Sequence, residues 1–401
     1  MELVNLSMRL RALTVFRGLL SEPVIEALCS YLDCMENAWP QGVISGYAEL
    51  VGRLYRTDEG DLGRHILRVV MEHENVYIRA VGRGETPPDY MTRSVALELE
   101  TLQEAASLTP DRLRAGLDGV GYLPDFGTTP VDLTESYFRR TAEIGRYGYG
   151  VYAGHHAFCL DDAGRIVPVG HPDPVRLEDL VGYRRERELV LDNVRALLAG
   201  RTAANMLLTG DAGTGKSSTV KAVGNALSGE GLRIVEVRRN QLSHIPALLD
   251  ELSGNPLKFI LFIDDLSFQK DDDNFGALKA VLEGSVSARS GNVILCATSN
   301  RRHIVKERFS DREGDDVHRS DAIQETVSLS DRFGLHISFQ KPGKEDYLTI
   351  VRALAQRRSV DCPELDALAE RFALARGGRS PRTAKQFVDS LSARDRREAG
   401  T

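Results

Sequence analysis

The stretch Gly210-Asp-Ala-Gly-Thr-Gly-Lys216-Ser217 sets glycines, a lysine and a hydroxyl at the spacing G-x-x-x-x-G-K-[ST]. Glycines let the backbone curl until successive N–H groups point inward at an anion. A helix starting near Lys216 adds the positive end of its dipole. Lys216 is then placed to reach the β- and γ-phosphates of a nucleotide, and the Ser217 hydroxyl to bind Mg²⁺. A second pair follows downstream, where the apolar run FILFI at 259–263 ends in Asp264-Asp265. An acid closing a strand beside a phosphate loop is where a metal-orienting carboxylate belongs. Asp264 is expected in the Mg²⁺ shell and Asp265 against the attacking water.

This chemistry needs a strand just before the loop and a helix just after it, and the sequence supplies both. NMLLT (205–209) reads as a strand. Lys216 to Leu227 reads as a helix, with Val220, Val223 and Leu227 on one face. RIVEV (233–237), KFILFID (258–264), NVILCAT (292–298) and LHISF (335–339) are further strands, and a helix is expected within 241–252. The strands are nearly continuous in apolar residues, as strands buried on both faces are. Alternation with helices implies an α/β fold with a parallel sheet covered on both sides. Beyond it, Tyr347, Ile350, Val351 and Leu354 follow helical spacing, as do Leu365, Leu368 and Phe372, then Ala384, Phe387, Val388 and Leu391. They predict a three-helix domain over 342–401.

Residues 1–145 read as mostly helical. Ser21 can cap a helix with Pro23 in its first turn and Val24, Ile25, Leu28 and Leu32 in one stripe. GETPPDY at 84–90 is a loop. Residues 146–174 are expected as a linker carrying a β-hairpin about the turn DDAG, and HPDP at 171–174 is a stiff extended joint. The α/β nucleotide-binding domain then spans 175–341.

Composition narrows the class. The chain is 42% hydrophobic and 27% charged, as a globular protein is. No apolar run approaches the ~20 residues of a membrane helix. Arg9, Arg11 and Arg17 interrupt the N-terminal apolar residues, which suits an amphipathic helix and not a signal-peptide core. The expected location is the cytoplasm. Five cysteines at distant positions are no disulfide framework. A net charge of −7 argues against a broad basic footprint for nucleic acid, though not against a local one. His155, His156 and Cys159 do not make a metal site on a strand, where neighbouring residues point to opposite faces. Tyr147, Tyr149 and Tyr152 beside Arg146 read as packing residues.

With these elements in order, the chain resembles an AAA+ ATPase over about residues 172–395. The resemblance supplies further roles. In that family a polar residue ending the strand after the acidic one is sensor 1, here Asn300 in NVILCATSN, with Thr298 as the alternative. The arginine finger corresponds to Arg332 in LSDRFG, and the lid's sensor 2 arginine to Arg382 in GGRSPRTAKQF. The nucleotide-gripping linker resembles LEDLVGYRRE, placing Val181, Gly182 and Tyr183 near the adenine. Asp211, Ala212, Gly213, Thr214, Gly215 and Ser218 complete the loop around ATP. ANMLLTGDAGTGKSSTVKA, FILFIDDLSF with LKAVLEG, ATSNRRH and LSDRFGLHISF further resemble an uncharacterised bacterial group of predicted AAA+ ATPases that carries a domain of unknown function.

The resemblance implies ATP and Mg²⁺ as ligands, and Asp265, Lys216, Asn300, Arg332 and Arg382 as the catalytic set. It also implies a homo-oligomer, most often a hexameric ring, in which Arg332 acts on the neighbouring subunit. The N-terminal domain would bind a protein partner for remodelling. DNA is a possible partner, because LSDRFG and SPRTA are similar to motifs of branch-migration motors. No membrane partner is implied. A slow, nucleotide-controlled assembly switch is the remaining alternative. It follows from one departure: most AAA+ enzymes have Asp-Glu where this chain has Asp264-Asp265. Aspartate is one methylene shorter, and a catalytic group misplaced by about 1 Å can cost ~10²-fold in rate.

Overall fold

The computed structural model describes residues 2–36, 40–57, 59–115, 117, 122–266, 276, 278–279, 281–282, 291–300 and 332–398. The chain divides into two compact units, Met1–Gly154 and His155–Thr401.

The first unit is helical. Its longer helices are Glu2–Arg11, Pro23–Glu36, Pro40–Leu54, Leu62–Glu72, Asp89–Ala106 and Leu133–Ala142. Val24, Ile25, Leu28 and Leu32 are buried in its core, so the expected stripe forms. The helix start differs from the expectation. Glu22, not Ser21, takes the backbone N–H groups of Val24 and Ile25, at 2.9 Å each. A carboxylate there also meets the positive end of the helix dipole, which a serine hydroxyl does not exploit.

Glu98 fixes the entry to this unit. Its buried carboxylate accepts from the backbone N–H groups of Thr14, Val15 and Phe16 and from the Thr14 hydroxyl. Truncation leaves the buried Phe16 N–H and the part-buried N–H groups of Thr14 and Val15 without this acceptor. Glu98→Ala is therefore expected to destabilise the unit by roughly 1–3 kcal/mol, read as a lower denaturation midpoint.

The second unit is built on a seven-stranded sheet. Its strands are β1 (Ala157–Leu160), β2 (Ile166–Pro168), β3 (Met206–Gly210), β4 (Leu232–Glu236), β5 (Lys258–Ile263), β6 (Val293–Ser299) and β7 (Leu335–Phe339). They lie in the order β2-β1-β4-β5-β6-β3-β7. All neighbours are parallel except β1 and β2. β5 is fully buried after its first residue and β6 throughout, which is why both read as unbroken apolar runs. The α/β P-loop architecture and parallel core expected from the sequence are present, with a helical lid after the sheet.

The hairpin within 146–174, β1 and β2, joins the sheet. β1 adds to the edge of β4 in parallel register, Phe158 opposite Val235. Phe158 and Leu160 alternate inward and are buried, and only a place in the sheet can bury that face while pairing the backbone. The helix within 241–252 also begins differently. A 3-10 turn over Arg239–His244 precedes the α-helix Ile245–Ser253.

The lid comprises Lys344–Arg357, Leu365–Ala375 and Pro381–Glu398. Tyr347, Ile350, Val351, Ala369, Phe387 and Val388 form its core, and Val181 packs against it. Strand order sets up the site. β3 carries the phosphate loop, β5 the acidic pair, and β6 runs between them, so the end of β6 faces both. β3 also runs tightly against β7. A Cβ on Gly210 would lie 2.0 Å from the Phe339 carbonyl oxygen, and its φ of +140° suits glycine alone.

Candidate functional site

The loop leaving β3 turns through Gly213 and Gly215, both at positive φ, and delivers Lys216 to the first turn of the helix Lys216–Leu227. Lys216 is only 5% exposed. Its ammonium donates to the Gly210 carbonyl, the Asp211 carbonyl and Asn300 Oδ1, each at 2.9 Å. Burial pushes its pKa down, while Asp211, Asp264 and Asp265 pull the other way. All three of its donors thus rest on neutral acceptors, which an anion would outcompete.

Two hydroxyls hold Asp264 and an amide holds Asp265. Asp264 Oδ1 accepts from Ser217 Oγ at 2.6 Å and from Thr298 Oγ1 at 2.5 Å. Thr298 Oγ1 in turn accepts the Asp265 N–H at 2.9 Å. Asp265 has φ +52°, a left-handed conformation that aspartate tolerates better than most residues. Asn300 Nδ2 donates to Asp265 Oδ1 at 2.7 Å. Asn300 therefore links Lys216 to Asp265, and Thr298 links the two acids. The two residues weighed for one role occupy two distinct places.

These groups line a cavity of about 870 Å³ together with the lid and the segment before the first helix of the sheet domain. Ala212 through Ser218 of the loop line it, as do Asp264, Asp265 and Asn300. Gly210 and Asp211 serve it through the carbonyls that hold Lys216. Val181, Gly182 and Tyr183 form another wall. Gly182 has φ +83°, and Ile350 of the lid would lie 3.2 Å from a Cβ there. The Tyr183 hydroxyl donates to the Gln340 carbonyl at 2.5 Å, and its ring sits 5.2 Å from that of Phe339. Burial pushes the Tyr183 phenol up to about 12.

Arg382 lines the cavity from the N-terminus of the last lid helix, and its backbone N–H donates to the Gly213 carbonyl at 3.2 Å. The lid thus touches the phosphate loop directly. Arg332 lies just before β7 and is not among the residues lining the cavity. The structure therefore gathers every expected site residue of this chain except Arg332. Sequence reading missed Arg187, Arg357, Arg358 and Lys385, further cations lining the same space. The only available signal for them was an arginine or lysine on a helix beside a motif, which is too common to single out.

His156 precedes β1 and pairs with Asn225 Oδ1 at 3.1 Å. Among the described residues no group of three or more His, Cys, Asp or Glu could hold a metal ion. Tyr149 and Tyr152 are buried within the first unit. Residues 301–321 lie outside the described residues, as does part of LKAVLEG. No helix among the described residues is long and apolar enough to cross a membrane.

Among solved structures the chain is similar to the Thermotoga maritima RuvB Holliday junction branch migration motor, with 17% identity and a TM-score of 0.35, over 54% of this chain and 63% of that one. It is also similar to the Aeropyrum pernix ORC1 protein solved in complex with DNA, with 18% identity and a TM-score of 0.41, over 56% of this chain and 63% of that one. The chain thus spans less than two thirds of the length of either. No curated protein matches it. The profile of DUF815, described as a protein of unknown function, matches residues 153–395, more than half of the chain and the whole of the cavity just described. The chain belongs to the DUF815 family.

Proposed function

We propose that this protein is a cytoplasmic, Mg²⁺-dependent ATPase of the AAA+ kind, acting as a ring, most simply a hexamer. It would remodel a protein or nucleoprotein partner engaged by residues 1–145. The observation that carries this reading is the convergence of the Ser217 and Thr298 hydroxyls on one oxygen of Asp264, beside a lysine whose three donors await a better acceptor.

The residues fit Mg²⁺. Ser217 and Asp264 offer only oxygen, which suits a small hard cation that keeps most of its waters and shares phosphate oxygens. When bound, the ion neutralises charge on the β- and γ-phosphates. Thr298 keeps Asp264 aimed at that place. Lys216 exchanges its carbonyl partners for phosphate oxygens, which are charged and bind it more strongly. The loop N–H groups of Gly213 to Ser218 cradle the phosphates. Asp265 takes the proton of the attacking water, and Asn300 holds the Asp265 carboxylate in line. Arg382 reports the γ-phosphate to its own lid, and Arg332 stabilises transition-state charge in the neighbouring subunit. Val181, Gly182 and Tyr183 receive the adenine.

The test is phosphate release by the wild type and by Asp265→Asn, each with and without single-stranded and duplex DNA. Loss of the general base is expected to lower turnover by about 10²–10⁴-fold while ATP still binds. An Asp265→Asn variant with wild-type turnover would sink the assignment. DNA-stimulated turnover selects the nucleoprotein partner. Stimulation only by a protein captured through residues 1–145 selects a protein partner. Negligible wild-type turnover with intact binding selects an assembly switch, which the short Asp265 side chain favours.

A further inference from the structure

Residues 172–183 form the strap along one side of the cavity, and apart from a 3-10 turn at Leu177–Asp179 they belong to no helix or strand. A second hollow of about 540 Å³ adjoins the strap, lined by His156, Pro172, Arg176 and Leu177, and Asp173 and Pro174 border both spaces. The strap's later residues are seated by side chains, Leu177 and Tyr183 against the sheet core and Val181 against the lid core, whereas its start at 172–176 flanks open space and takes its place from whatever holds its backbone.

Two side chains do so. Asn225 Nδ2 donates to the Asp173 carbonyl at 2.8 Å and to the Val175 carbonyl at 2.9 Å. Asn225 Oδ1 pairs with His156 Nε2, which fixes the amide's orientation. Arg187 donates to the Leu177 carbonyl at 3.1 Å and to the Leu180 carbonyl. Four strap carbonyls thus depend on two residues. Asn225 sits on the helix that begins at Lys216, nine positions on and therefore roughly 13 Å away along its axis. It is too far along to meet the phosphates. Its effect must pass through the strap to Val181, Gly182 and Tyr183, the wall assigned to the base.

We infer that Asn225, with Arg187, is a positioning residue that sets affinity for the nucleoside half of the nucleotide by clamping the 172–183 strap. This rests on the ATP-binding reading above. A preorganised wall binds without ordering itself first; an untethered strap must be ordered by the ligand, and affinity falls. The phosphate half, held by the loop, is untouched.

The experiment is calorimetric titration of the full chain with Mg²⁺-ATP and with Mg²⁺-tripolyphosphate, which carries no base or sugar. Asn225→Asp keeps the shape but replaces both donors with an acceptor facing two carbonyls, and Asn225→Ala removes them. Each variant is expected to weaken ATP on the order of tenfold and tripolyphosphate by less than about twofold. In turnover each raises KM and leaves kcat unchanged, a split that general loosening of the fold would not give. If Asn225→Asp fails to fold, Asn225→Ala carries the same test. Equal weakening of both ligands, or unchanged ATP affinity, overturns the inference alone. A wild type that binds no ATP overturns the functional reading and this inference with it.

Discussion

Lys216→Ala is expected to abolish ATP turnover, lowering it by at least about 10³-fold, the upper end of what a single preorganised donor contributes. Lys216 is buried at the centre of the phosphate loop, 5% exposed and hydrogen-bonded to Gly210, Asp211 and Asn300. Its removal takes the positive charge from the place where the β- and γ-phosphates would lie. It also releases Asn300, so the Asp265 carboxylate loses its orienting partner's own anchor. The fold should tolerate the change. A buried ammonium carries a desolvation cost, and the freed carbonyls border a cavity that water can enter. The check pairs a phosphate-release assay with a thermal melt. Lost activity at an unchanged midpoint supports the role; lost activity with a collapsed midpoint does not.

Arg332→Ala is expected to lose about 10³–10⁵-fold in turnover while ATP binds as before. The reason is its position. Arg332 stands outside its own chain's cavity, one residue before Phe333 and three before β7. A finger acting on a neighbour touches another subunit's nucleotide, so its own site stays complete. This gives a mixing test. Lys216→Ala subunits keep Arg332 but have no working site, and Arg332→Ala subunits keep the site but have no finger. Mixed together, the two inactive proteins should recover part of the activity. If Arg332→Ala instead weakens ATP binding and mixing restores nothing, the residue serves its own fold and not a partner.

The parts of this site nearest to a glycine or an acid are legible in the amino-acid sequence alone. The helix Lys216–Leu227 and the strand Leu335–Phe339 follow from periodicity and from the loop's own chemistry. The three lid helices follow from apolar spacing. What escapes such reading is set by contacts distant in the chain. Nothing in Asn225 signals that its amide holds carbonyls some fifty positions earlier. The hairpin after His156 reads as two strands, but its place beside β4 depends on which edge is open, and pairing partners are not written locally. Thr298 and Asn300 both end an apolar strand. Only the geometry separates the one that ties the two acids from the one that ties Lys216 to Asp265. At the first unit's helix start, Glu22 lies one residue from Ser21. Residue preference favours the serine there, while the dipole and the reach of the carboxylate favour the acid.

The most direct measurement is phosphate release from Mg²⁺-ATP by the wild type over a series of protein concentrations. A ring ATPase completed by Arg332 from a neighbour predicts turnover per chain that climbs steeply with concentration and then levels off. Release no greater than that of Lys216→Ala at every concentration would contradict the account.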